Sequence, residues 1–392
     1  MKHRKVIIIG AGASGMTAAI QAARANADVT LIEHDKKAGK KLLMTGNGKC
    51  NLTNTDCVAE SYFTDDFTFV DEVLEQFSLH DTIRFFTELG IYTRNRNGYL
   101  YPYSEQAESV RSVLLMELEH LKVRLKQNEE ITDILHSDSG WEVKTADWTY
   151  TADAVILATG SCASAIPGAD GSGYRLVSQL GHTIRTPLPA LVPLTSDSPV
   201  CRHWSGVRAE ALLSLYVDGD YVSQNRGNVQ FTEYGLSGIP TFQLSHEAVV
   251  ALHNKQNVYI EIDFLPDITD TAFEQFWTAR KTAAAYKTQE EQLIGLFADK
   301  LIPILCDGDF KTNCKHFRLP ITDFHSFDMA QVCSGGVSLE EISPYTLEST
   351  LFKNLYFAGE IMDVDGRCGG YNLQWAWSTG SIAGRHAAKC EE

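Results

Sequence analysis

The residues of this chain that could do chemistry gather in a few short stretches. In VIIIGAGASGMTAAI, from Val6 to Ile20, Gly10, Gly12 and Gly15 have the spacing of a dinucleotide cradle. Gly10 permits a tight turn, Gly12 lets backbone approach a pyrophosphate, and Gly15 lets a helix pack closely on a strand. Ala13 and Ser14 join these glycines in the expected cofactor contact, and the N-terminus of the helix that follows faces the negative charge. Glu33, 18 positions beyond Gly15, is placed to accept hydrogen bonds from adenosine ribose hydroxyls. A carboxylate there repels a 2′-phosphate, which disfavours NADP at this cradle and leaves NAD and FAD open.

Three further stretches bear on that choice. GKKLLMTGNGKCNLTN, from Gly39 to Asn54, is a polar, partly cationic loop too costly to bury without a partner. It follows the strand that ends on Glu33, which favours cofactor contact through Lys40, Lys41, Thr45, Gly46, Asn47, Gly48, Lys49, Cys50 and Asn51. ILATG ends a strand on Ala158, Thr159 and Gly160, a common way to bring backbone close to a ligand. Near the end, YFAGEIMDVDGRCGGYNLQWAWSTGSIAG offers Gly359 and Glu360, then Gly369 and Gly370 before a helix opened by Asn372 and Leu373. Glu360 suits ribityl hydroxyls, and the amides of Asn372 and Leu373 suit the flavin N1/C2 edge, where negative charge develops on reduction. This closing segment favours FAD.

The nine cysteines show no C-x-x-C or C-x₄-C pair, so they are expected to be small buried hydrophobes and not a redox disulfide. The histidines lack H-x-x-x-H and H-E-x-x-H spacing, so no metal site is expected.

The elements that must position these residues follow from pattern. KVIII at 5–9, a helix from Met16 to Ala25 and DVTLIE form a βαβ unit with the glycines at its strand-to-helix turn. Helical spacing recurs over Phe67–Leu89 and again from Gln106, with a hairpin between them turning on Asn97 and Gly98. Two strands around a Ser-Gly turn precede the buried strand DAVILATG, and SCASAIPGADGSGYRLVSQLGH reads as a loop feeding a helix. From Pro187 prolines and alternating segments mark a change of lobe, β-rich to 265 and helical over 266–330.

At 392 residues the chain suits two or three lobes. The 34 basic and 50 acidic residues give a formal net charge of -16, which repels polyphosphate backbones, so no nucleic-acid partner is expected. No apolar run reaches the roughly 18 residues of a spanning helix. A cytoplasmic protein with a small-molecule substrate and no membrane partner is expected.

Together these motifs resemble the HI0933-like family of bacterial FAD-dependent oxidoreductases, which includes enzymes described as aminoacetone oxidase and as bile-acid 3-oxo-Δ4 reductases. The resemblance is carried by GAGASGMTAAI, GKKLLMTGNGKCNLTN, GYLYPYSEQAESV, ILATG, GADGSGY, FTEYGLSGIPTFQLS, CSGGVSLEEI and LYFAGEIMDVDGRCGGYNLQWAWSTGSIAG, spread from residue 6 to 384. It implies an α/β fold in which a discontinuous Rossmann-like FAD-binding domain, 1–186 and 331–392, carries an inserted lobe, β-barrel-like over 187–265 and helical over 266–330. It also implies non-covalent FAD held by Gly10 to Gly15, Glu33, Lys40, Lys41, Asn47 to Asn51, Glu360, Asn372 and Leu373, and Ile131 joins this expected set. Where the family usually has Thr before its GGV stretch, this chain has Cys333 and Ser334.

The leading functional expectation is a reductase: NADH or NADPH reduces FAD, and flavin N5 delivers hydride to the β-carbon of an enone while a protein acid protonates the α-carbon. Tyr371, Tyr234 and Arg367 are the expected donors or carbonyl clamps. Since no second G-x-G-x-x-G follows a strand, the nicotinamide is expected to share the substrate cavity in turn. An oxidase of small amines such as aminoacetone is the alternative, and a flavoprotein acting on tRNA a third reading.

Overall fold

The computed structural model describes residues 3–138, 140–164 and 169–389. The chain forms two compact units, Met1–Pro187 with Val332–Glu392, and Leu188–Gln331.

The first unit is built on a parallel sheet of β1 (Lys5–Ile9), β2 (Asp28–Glu33), β3 (Arg124–Gln127), β4 (Ala154–Leu157) and β5 (Leu355–Phe357), with α1 (Ala13–Arg24) crossing from β1 to β2. The order β5-β4-β1-β2-β3 puts β1 at the centre, Ile8 facing Leu31 on one side and Ile156 on the other. Val6 to Ile9 and Ala154 to Leu157 are buried throughout, as expected where helices cover both sheet faces and apolar residues run continuously. The last helix, α2 (Tyr371–Ala387), lies against α1. Small residues set that approach: a Cβ on Gly380 would meet the Ser14 carbonyl oxygen at 2.4 Å, and one on Gly384 the Ala18 carbonyl oxygen at 2.4 Å. Trp377, fully buried on the same helix, donates its indole N–H to the Leu52 carbonyl at 2.9 Å.

The helical stretch from Phe67 is two helices, Phe67–Gln76 and Leu79–Glu88, separated where Ser78 and Asp81 form a reciprocal capping box. Thr93–Arg96 and Tyr99–Pro102 make the hairpin, with Asn97 and Gly98 in left-handed backbone. Beyond the two strands read around the Ser-Gly turn, Thr149–Ala152 adds a third to an antiparallel ribbon with Ile131–Ser137 and Gly140–Thr145. The loop before helix Ser172–Gln179 was read in part over Ala165 to Gly168, which lie outside the described residues.

The second unit carries a seven-stranded antiparallel sheet, and its two edge strands, Phe317–Ile321 and Asp323–Phe324, are separated by one residue of chain. A sheet whose first and last strands are joined so tightly must curl back on itself, which gives the barrel-like form. Trp204, Phe231, Phe264 and Phe317 pack rings in its core. Two departures from the sequence reading occur here. The β-rich part contains a 15-residue helix, Ile239–His253, started by Pro240 in its first turn. The helical part ends at Lys315, after which FRLPI alternates exposed and buried residues and rejoins the sheet beside Val258–Asp263. Among the described residues no helix is long and apolar enough to cross a membrane, and none of the eight cysteines they include is in a disulfide.

Candidate functional site: a dinucleotide cradle in the first unit

The turn from β1 into α1 is fixed by contact. Gly10 adopts φ +99°, and a Cβ there would lie 2.4 Å from the Ala158 carbonyl oxygen, so only glycine fits. A Cβ on Gly15 would lie 1.8 Å from the Gly10 carbonyl oxygen, which is why the helix can start directly on the strand end. Gly12 is different. It caps α1, and a Cβ on it would meet no atom within 4 Å. Open space thus lies at the helix N-terminus, where the first N–H groups lack helical partners. Ala13 begins the helix and Ser14, buried, donates its hydroxyl to the Ala358 carbonyl at 3.3 Å.

Glu33 ends β2 with only 8% exposure. It accepts from Ala11 N–H at 2.7 Å and Asp35 N–H at 2.9 Å, and His34 Nδ1 stands 3.0 Å away. Burial alone would raise its pKa, but the His34 hydrogen bond and these two backbone donors outweigh burial and hold the carboxyl below its ordinary value. His34 is raised in turn by its bond to Glu33. Ligand atoms of Glu33, His34 and Asp35 lie within 4.8 Å of one another, a cluster its own hydrogen bonds account for.

The loop after β2 turns on consecutive left-handed residues, Gly46, Asn47 and Gly48, followed by Cys50. Thr45 donates its hydroxyl to the Leu42 carbonyl, and buried Cys50, its thiol pushed up to about 12 by burial, donates its N–H to Thr45. Lys40 pairs with Asp35 at 3.2 Å, Lys41 with Glu360 at 2.7 Å, and Lys49 with Glu105 at 3.4 Å. Asn51 is buried and its Oδ1 has no partner, and Thr159 Oγ1, at the end of the strand bearing Ala158, is likewise buried and unpartnered. Gly160 beside it is as open as Gly12. An orphaned amide oxygen and an orphaned hydroxyl beside open glycines need outside partners, since each costs about 1–3 kcal/mol left alone.

Gly359 donates its N–H to Thr379 Oγ1 at 2.9 Å. Beside it Glu360 takes three donors: Lys41, the Ser161 hydroxyl at 2.7 Å and the Cys333 N–H at 3.1 Å. Pattern reading missed Ser161 and Cys333. Ser161 directly follows ILATG and was findable there, whereas nothing in the sequence around Cys333 announces a backbone donor to Glu360. At α2, Asn372 closes a ring with Gly366, accepting its N–H at 2.8 Å and donating to its carbonyl at 2.7 Å. Leu373 packs its side chain against the core and Ile131 is a buried core residue that offers a ligand no polar side chain.

Of the three residues expected to act on substrate, Tyr371 is buried at the head of α2, edge-on to Tyr62, and burial raises its hydroxyl pKa. Arg367 lies in the same segment with its side chain exposed. Tyr234 belongs to the second unit, where its ring meets His325 edge-on at 4.3 Å. The structure therefore groups Tyr371 and Arg367 with the cradle residues in one unit.

Residues 4–386 match the HI0933-like protein Rossmann domain. The chain belongs to the HI0933-like family. A protein of Clostridium scindens named 3-dehydro-bile acid delta(4,6)-reductase is 40% identical over 98% of this chain and 99% of its own. Ribosomal RNA dihydrouridine synthase of Escherichia coli is 28% identical over 97% of this chain and 96% of its own. The fold is also that of 3-ketosteroid delta1-dehydrogenase from Sterolibacterium denitrificans, at TM-score 0.55 and 13% identity over 98% of this chain and 99% of that one. The family and the fold make this chain an FAD-binding Rossmann-type oxidoreductase.

The residues present fit that cofactor. Gly12 and Gly160 leave open space, Asn51 and Thr159 hold an unpartnered amide oxygen and hydroxyl, and Glu33 and Glu360 each carry three donors where a carboxylate has about four acceptor sites.

Proposed function

We propose that this protein takes electrons from NADH or NADPH and saturates a C=C bond conjugated to a carbonyl, in a substrate of 3-oxo-Δ4 steroid or bile-acid type. The observation that carries this reading is the 40% identity across 98% of the chain to a bile-acid delta(4,6)-reductase. The ribosomal RNA relative supports the same bond chemistry, because dihydrouridine is uridine whose ring C=C beside a carbonyl has been saturated.

FAD bound in the cradle supplies the hydride. We assign its binding to Gly10, Gly12, Ala13, Ser14, Gly15, Glu33, Lys40, Lys41, Thr45 to Gly48, Cys50, Asn51, Ala158 to Gly160, Gly359, Glu360, Asn372 and Leu373, with Ile131 as apolar support. Lys41 neutralises Glu360, and Ser161 and Cys333 fix the direction of its carboxylate. Tyr371 is the proton donor this reading favours: its hydroxyl stays protonated at neutral pH, and it opens a helix whose positive end favours the negative charge of a developing enolate. Arg367 remains assigned as a carbonyl clamp.

The test is an anaerobic visible spectrum of purified protein before and after NADH or NADPH, followed by a 3-oxo-Δ4 steroid acid. Bleaching within seconds and return of the yellow colour on adding the enone are expected. Tyr371→Phe should slow the return by roughly a hundredfold without slowing bleaching. A flavin that neither donor bleaches refutes the reading.

A further inference from the structure

One carboxylate in the first unit holds three cations. Glu105 lies 3.4 Å from Lys49 Nζ and 3.4 Å from Arg94 Nη1, and Arg96 closes on the same oxygen as Arg94. Glu105 sits at φ +51°, in the left-handed backbone region. The group is net positive on a chain of formal charge -16, and its cations are partly open to solvent, with side-chain exposures of 46%, 38% and 48%. Tyr103, 63% exposed, lies under the Arg94 guanidinium at 4.1 Å. The position matters as much as the charge. Lys49 ends the left-handed loop of the cradle, and Arg94 and Arg96 lie on the hairpin whose second strand carries Tyr99, which a Cβ on Gly369 would meet at 3.1 Å.

We propose that this cluster docks the 2′-phosphate of NADPH and so selects NADPH over NADH as electron donor; the proposal rests on the nicotinamide-driven reading above. The cradle itself cannot take that phosphate, because Glu33 would repel it. Here a phosphate would replace Glu105 as counter-ion to two guanidinium forks and an ammonium, and the Arg94–Tyr103 pair offers a stacking surface for adenine. Three cations gathered on one carboxylate match a single phosphate, whereas the chain's formal charge of -16 disfavours a polynucleotide.

The test uses FAD-loaded protein and titrates 2′,5′-ADP and 5′-ADP calorimetrically at low and high salt, with anaerobic bleaching by NADPH and NADH read separately. Expected are tighter binding of 2′,5′-ADP than of 5′-ADP, a loss of roughly three- to fivefold in Arg94→Gln and in Arg96→Gln, and a gain of similar size in Glu105→Gln, which frees the cations. The half-saturating NADPH concentration should move in the same order, and added salt should flatten all three effects. Retained flavin absorbance checks that each variant folds. Equal binding of the two nucleotides, with no response to the three substitutions, overturns the proposal even if NADH bleaches the flavin. A single-stranded RNA that binds more tightly than 2′,5′-ADP with the same variant order overturns it in favour of a nucleic-acid site. If neither nicotinamide bleaches the flavin, the functional reading and the donor-selection proposal fail together; if NADH bleaches it while 2′,5′-ADP binds no better than 5′-ADP, the proposal alone fails.

Discussion

Gly384 and Gly380 allow a two-variant measurement of how the closing helix supports the cradle. A Cβ at either position would lie 2.4 Å from a carbonyl oxygen of α1, against an ordinary contact of about 3.5 Å, so the helices must part by roughly 1 Å. Because the obstructing atoms are backbone, no side chain can swing away. If about thirty atom pairs worth ~0.15 kcal/mol each lose a quarter to a half of their attraction, the loss is ~1–2 kcal/mol, and strain adds about as much again. Alanine's higher helix propensity returns about 1 kcal/mol, leaving each variant less stable by about 2 kcal/mol. The two should differ in function. Gly380 presses on Ser14, two residues from the open glycine of the cradle, whereas Gly384 presses on Ala18, one turn further along. Urea denaturation followed by circular dichroism, with flavin absorbance of the purified protein, separates them: both Gly380→Ala and Gly384→Ala should lower the midpoint, and Gly380→Ala should also shed FAD. A Gly384→Ala protein as stable as the parent, or one that loses more flavin than Gly380→Ala, would refute the reasoning.

Other outcomes follow from single groups. Burial, only partly offset by Arg185, raises the Asp363 carboxyl to about 6, so its folded value exceeds its unfolded one. Stability from this group is present below about pH 4 and lost as pH rises to about 6, by on the order of 2 kcal/mol, and Asp363→Asn should remove that slope in urea titrations across the window. Glu33→Ala leaves the buried Ala11 N–H without its acceptor and should cost about 1–3 kcal/mol along with at least a tenfold loss of FAD affinity, measured by flavin release on dilution. Lys41→Met leaves Glu360 without its cation and should weaken flavin retention, measured by flavin release on dilution; retention equal to the parent's would count against the pairing.

The βαβ unit could be read in the sequence because every level agreed: β-branched strands, glycines at the turn, and an acid at the end of the second strand. The place of Glu33 at the end of the second strand was legible, but not that the Ala11 and Asp35 N–H groups and His34 would already use much of its carboxylate. Glu360 was placed by its strand end alone; its partner Cys333 comes from a strand that no local pattern ties to it. Likewise FRLPI looked like the tail of a helical stretch, since five residues with a proline carry too little periodicity to outweigh the helices before them. Glu105 with its three cations was invisible because cross-strand and loop charges converge only after folding.

The order of strands in the parallel sheet has a consequence for synthesis on the ribosome. Its edge strand β5 and the helix that packs on α1 are made only after the whole of Leu188–Gln331. Until then the nascent chain holds β4 with an unpaired edge and α1 with its small-residue face bare, while the intervening unit has all its own strands already translated. Translation pauses or truncation near the end of the message would therefore expose this edge, and aggregation or chaperone dependence should rise sharply for chains stopped before residue 355.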